Sequence, residues 1–253
     1  MNKKIVIGNW KMNPVSSKDA EKLFKAIVKN KSEYKNTDVV ICPPNIFLHG
    51  LSKIKSGKIS LGAQNTFYET KGAFTGQVST QMLANYKVQY CIVGHSEMRA
   101  MGDTNEICNK KLNALLKTGI TPILCVGEKM RDDSHEYLNI IRKQVKACLN
   151  GISKNSLNKI IIAYEPVWAI GSHAVREVTA AECEEMMLYI KKIIADLSDP
   201  KIAHNMRVIY GGSVHPKNSL ELITDGSTDG FLVGRDSLNA ERFAKIIRST
   251  QIK

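Results

Sequence analysis

Eight short apolar runs rich in β-branched residues recur along this chain at roughly thirty-residue intervals, the length of a strand plus the helix that covers it. They centre near Ile5, Val39, Ile59, Cys91, Ile123, Ile160, Val208 and Phe231. Runs so continuously apolar leave no wet face, which marks parallel strands buried on both sides. The intervening segments carry apolar residues at helical spacing, most clearly over 18–30, 105–116, 137–149, 180–197 and 240–247. A strand and a helix alternating eight times within 253 residues predict a closed (β/α)8 barrel. The alternative, an open doubly wound sheet, calls for G-x-G-x-x-G after the first strand, and Asn9-Trp10-Lys11 stands there instead. No Pro/Gly/Ser-rich linker or shift in composition divides residues 1–253, so the expectation is one domain.

Two boundaries carry their own chemistry. Thr179 precedes a helical segment with Glu182 three residues on, the pattern of a capping box. Gly119 follows Leu116-Lys117-Thr118, where a helix stop needs positive φ.

The net charge of +12 raises the question of a polyanionic partner. The lysines are dispersed, with few aromatics between them to stack on bases, so nucleic-acid binding is not read as the main function. A small anionic substrate suits the charge better. The cysteines Cys42, Cys91, Cys108, Cys125, Cys148 and Cys183 form no C-x-x-C pair and have no histidine at ligand spacing, which indicates neither a disulfide framework nor a metal site. No apolar run approaches a membrane span, and the short one behind Lys3-Lys4 is read as a strand and not a signal peptide. A reducing cytoplasm is expected.

The chemistry sits where strands end. Asn9 and Lys11, His95 and Glu97, and Glu165 each follow an apolar run, the position at which barrels of this kind keep reactive groups. Pro166 restricts the backbone of Glu165 and so fixes its carboxylate. His95 precedes a short helical turn whose positive end disfavours imidazolium, so a neutral ring could donate a hydrogen bond to a carbonyl. Lys11 could neutralise a phosphate or an enediolate. Three glycine-bearing turns, Ala169-Ile170-Gly171-Ser172, Gly211-Gly212-Ser213 and Gly234-Arg235, offer backbone N–H groups to an anion. Any one of these features alone is commoner as a satisfied strand end, a surface lysine or an ordinary turn.

Taken in order, the segments Gly8-Asn9-Trp10-Lys11-Met12-Asn13, Gly62-Ala63-Gln64-Asn65, Val93-Gly94-His95-Ser96-Glu97, Tyr164-Glu165-Pro166-Val167-Trp168-Ala169-Ile170-Gly171 and Tyr210-Gly211-Gly212-Ser213-Val214 make the chain resemble the triosephosphate isomerase family. The resemblance continues to Asp229-Gly230-Phe231-Leu232-Val233-Gly234. It implies interconversion of dihydroxyacetone phosphate and D-glyceraldehyde 3-phosphate through an enediolate. In that chemistry Glu165 is the base, neutral His95 and Lys11 stabilise the oxygens, Asn9 orients Lys11, and Glu97 orients Lys11 or relays a proton. Gly171, Ser213, Gly234 and Arg235 present backbone amides to the phosphate, and neither metal nor organic cofactor is required. The resemblance also implies a lid over residues 166–176 and a homodimer, in which the loop from Gln64 to Val78 inserts into a second subunit and Thr75 approaches the partner's Lys11. Three positions depart from the family pattern: Ser172-His173 in the lid, Arg235 in place of a second glycine, and Met98 in place of arginine. The competing readings are another phosphosugar enzyme on the same barrel and a phosphosugar-binding barrel without turnover.

Overall fold

The computed structural model describes residues 3–171 and 174–251. Its eight parallel strands close on themselves in sequence order, as the periodicity requires. They are β1 (Lys4–Asn9), β2 (Thr37–Cys42), β3 (Ile59–Ala63), β4 (Tyr90–Val93), β5 (Thr121–Val126), β6 (Ile161–Tyr164), β7 (Val208–Tyr210) and β8 (Gly230–Val233). The covering helices are α1 (Ser17–Lys29), α2 (Asn45–Leu51), α3 (Thr80–Asn85), α4 (Ser96–Ala100), α5 (Asn105–Thr118), α6 (Glu136–Leu149), α7 (Lys154–Leu157), α8 (Ala180–Leu197), α9 (Pro200–Asn205), α10 (Ser219–Thr224) and α11 (Ala240–Ser249).

Alternation of side chains along each strand divides the core in two. Ile5, Ile7, Val40, Cys42, Ile92, Ile123, Cys125, Ile161, Ala163, Ile209 and Leu232 pack together inside the barrel. Their sequence neighbours, such as Val6, Val39, Ile41, Val93, Leu124, Ile162 and Phe231, face the helices. Each fully buried Ile, Leu or Phe contributes about 1.5–3 kcal/mol relative to exposure. All six cysteines are free and buried, and burial raises the thiols of Cys42, Cys91 and Cys125 well above their ordinary range.

The expected boundary chemistry is present. Thr179 and Glu182 form a reciprocal capping box at the start of α8, and Gly119 ends α5 at φ 77°. The Arg176 guanidinium beside Glu182 pulls its carboxyl down to about 2. One seam of the barrel is thin, because β7 and β8 share only the pair Tyr210↔Phe231. Side chains complete it: the Tyr210 N–H donates to Thr228 Oγ1 at 3.0 Å and the Val208 N–H to Asp229 Oδ2 at 3.0 Å.

Candidate functional site

The strand C-termini bring Asn9, His95 and Glu165 to one mouth of the barrel, at 5%, 6% and 2% exposure. Glu165 leaves β6 with its own N–H bonded to Val126 O at 2.8 Å, and its carboxylate turns back toward β4. One oxygen accepts from the Ser96 N–H at 3.0 Å, and the other lies 3.2 Å from His95 Nε2. Space for this comes from two glycines that touch the same residue. A Cβ at Gly127 would fall 1.7 Å from the Glu165 carbonyl oxygen, and one at Gly211 would fall 2.9 Å from Glu165 Cγ.

His95 caps α4, and its Nδ1 accepts the Glu97 N–H at 3.2 Å. A nitrogen that accepts must keep its lone pair, so the ring proton sits on Nε2, the nitrogen 3.2 Å from Glu165. The Glu97 carboxylate is occupied elsewhere: Oε1 is 2.7 Å from Lys11 Nζ, while Oε2 stands 3.7 Å from His95 Nδ1, too far to bond. Lys11 takes φ 52°, unusual for a residue with a side chain. Its neighbours hold it there, since its N–H donates to Asn9 Oδ1 at 3.0 Å and its carbonyl accepts from Gln64 Nε2 at 2.8 Å.

Asn9, Lys11, His95 and Glu165 line a cavity of about 770 Å³ together with Gly171, Gly212, Ser213, Gly234 and Arg235. The glycine-bearing turns predicted after β6, β7 and β8 therefore converge. The Ser213 hydroxyl donates to Ala169 O at 2.8 Å and fastens two of them together. Arg242 and His215 also line the cavity; they pair with Asp236 at 2.7 Å and with Glu177 at 3.1 Å.

Both ends of the segment resembling a lid are anchored. Trp168 Nε1 and the Tyr164 hydroxyl each donate to Glu128 Oε1 at 2.8 Å, and the Val175 N–H reaches back to Trp168 O at 2.9 Å. Glu128 is fully buried, and that burial pushes its carboxyl above the usual range against the pull of the Trp168 and Tyr164 hydrogen bonds. Arg176 stacks on the Trp168 ring at 4.7 Å and binds Glu182 at 2.8 and 2.5 Å. The departure at Ser172-His173 lies outside the described residues.

A second cavity of about 250 Å³ opens on the other side of Lys11, lined by Met12, Asn45, Gln64, Asn65, Glu97 and Met98 among others. Thr75 lines neither cavity and is exposed on its own loop. Near Met98 the charge is carried by Lys111, at 3% exposure, whose Nζ binds both oxygens of Asp103 at 2.7 and 2.8 Å and Asn65 Oδ1 at 2.9 Å. Arg99 ties Gly94 O at 2.8 Å to Cys125 O at 3.2 Å, buttressing the turn that carries His95. Sequence reasoning assigned no role to Gln64, Ser96 or Glu128. The position of Glu128, two residues after the apolar end of β5, is the same strand-end signal that singled out the others.

A family model described as triosephosphate isomerase matches residues 4–250. Among curated proteins, the triosephosphate isomerase of Dictyoglomus thermophilum is 40% identical over 253 residues, covering 98% of this chain and all of the relative. The protein of the same name from Endomicrobium trichonymphae is 40% identical over 251 residues, covering 98% of this chain and 99% of the relative.

Proposed function

The chain belongs to the triosephosphate isomerase family, and we propose that it interconverts dihydroxyacetone phosphate and D-glyceraldehyde 3-phosphate by moving a proton between neighbouring carbons at the mouth of its barrel. The observation that carries the mechanism is the facing pair of a buried carboxylate and an imidazole whose Nε2 bears the proton. The pairing of a glutamate base with a neutral histidine is one for which triosephosphate isomerases are themselves the standard illustration.

A substrate entering the larger cavity would seat its phosphate among the turns holding Gly171, Ser213, Gly234 and Arg235. Its carbonyl would then lie toward His95 and Lys11. Glu165 exchanges its bond to the Ser96 N–H for a position over the carbon and removes the proton. The His95 Nε2–H, released from Glu165, donates to the developing oxyanion, and the Lys11 ammonium lies close enough to stabilise the same charge. Asn9 and Glu97 are positioning residues that fix the backbone and the ammonium of Lys11. Reprotonation at the next carbon completes the turnover, and the cycle needs no metal or organic cofactor.

The same reading includes one barrel domain, a cytoplasmic location and a homodimer. Met12, Ile46, Met82 and Met101 are 90%, 81%, 53% and 79% exposed, apolar side chains available for a second copy to cover. The second cavity behind Lys11 is where Thr75 of a second copy would enter.

The decisive experiment assays the triose phosphate interconversion with Glu165→Asp beside the wild type. Removing one methylene keeps the charge but withdraws the base by roughly 1 Å, so turnover should fall by about two orders of magnitude. Equal activity in the two proteins would overturn the mechanism.

A further inference from the structure

The cavity is lined by Lys11, His95, His215, Arg235 and Arg242, and all but Arg235 have an anionic partner. Lys11 meets Glu97 at 2.7 Å, His95 meets Glu165 at 3.2 Å, His215 meets Glu177 at 3.1 Å, and Arg242 meets Asp236 at 2.7 Å. Among the described residues Arg235 makes no hydrogen bond or ion pair through its side chain. It is exposed, and it opens the short turn Arg235–Leu238 directly after Gly234. That turn lies beside Lys11, since a Cβ on Gly234 would fall 3.6 Å from Lys11 Cε.

Backbone amides can satisfy phosphate oxygens, but they bring only partial charges to a group that carries about −1.5 to −2 near neutral pH. A guanidinium adds a full charge and a planar fork that matches two phosphate oxygens. On the triose phosphate reading given above, we propose that the Arg235 side chain is an affinity-determining residue of this enzyme, its guanidinium contacting the substrate phosphoryl group alongside the backbone amides. The phosphate is remote from the carbons that react and keeps its charge throughout. The contact therefore binds ground state and transition state alike, lowering KM and leaving kcat untouched.

Steady-state kinetics of wild type, Arg235→Gln and Arg235→Lys, with inorganic phosphate as a competitive inhibitor, test this at low salt and at about 0.2 M salt, where the Debye length falls below ~8 Å. Arg235→Gln should raise KM and the inhibition constant of phosphate together by about two- to five-fold, the range of an exposed charged contact, with kcat unchanged within error. Arg235→Lys should fall between them, and the gap should narrow at the higher salt. Unchanged KM and inhibition constants would overturn the proposal, as would a fall in kcat alone, which would mark a structural role. A weaker salt dependence of kcat/KM with an unchanged phosphate inhibition constant would mean attraction from a distance and would also overturn the contact. A wild type that fails to interconvert the triose phosphates would instead overturn the reading on which this inference rests.

Discussion

Glu165 and His95 restrain one another in the described geometry, and the Ser96 amide completes the restraint by holding the second carboxylate oxygen. The proposed base is held without being free, because substrate must replace the Ser96 hydrogen bond and the His95 contact before the carboxylate can act. The glycine at 211 keeps this arrangement possible. In Gly211→Ala the new methyl would fall 2.9 Å from Glu165 Cγ, too short to tolerate. The carboxylate must shift, so kcat should fall by about ten-fold or more while stability drops by about 1–3 kcal/mol. Steady-state assay and denaturant unfolding separate the two effects, and a normal kcat would show that Glu165 does not need this side of its pocket. The side chains proposed to react stood out in the sequence because charge after an apolar run is uncommon. The Ser96 N–H, by contrast, carries no side-chain signal, and Gln64 reaches Lys11 across 53 positions. Backbone donors and distant amides become visible only once the strands are set side by side.

At the level of elements, the eight strands and the five long helices are those expected from periodicity. The shorter helices α2, α3, α4, α7, α9 and α10 span four to seven residues, too few for a 3.6-residue period to declare itself. The thin β7–β8 seam was likewise hidden, because its closure depends on Thr228 and Asp229 accepting hydrogen bonds from backbone amides in place of ladder partners. The capping box of α8 links stability to pH through Glu182. Its folded carboxyl titrates at about 2, below the ordinary value of 4.5. A depressed acid stabilises the fold fully above the unfolded value and loses that contribution as pH falls through the folded one. Glu182→Gln should therefore flatten the stability profile between about pH 4.5 and 2 and leave a constant deficit above it, measurable by thermal unfolding across that range. A variant whose profile still parallels the wild type would remove Glu182 from the acid response.

For the whole molecule, the proposed homodimer rests on the exposed methionines and the smaller cavity beside Lys11. Replacing residues 69–77 by a short polar turn should yield monomers in sedimentation equilibrium with weak turnover, whereas a wild type that sediments as a fully active monomer would remove the homodimer from the reading. The buried cysteines bear on a different property of the same molecule. They are spread over β2, β4, α5, β5, α6 and α8, each shielded from solvent. Alkylating reagents can reach these sulfurs only when the surrounding region opens, so the natural chain carries its own set of spatially distributed clocks. The rate at which each cysteine is tagged under native conditions reads out the opening of its own neighbourhood, and the spread among the sites distinguishes helices that peel away singly from a barrel that comes apart all at once.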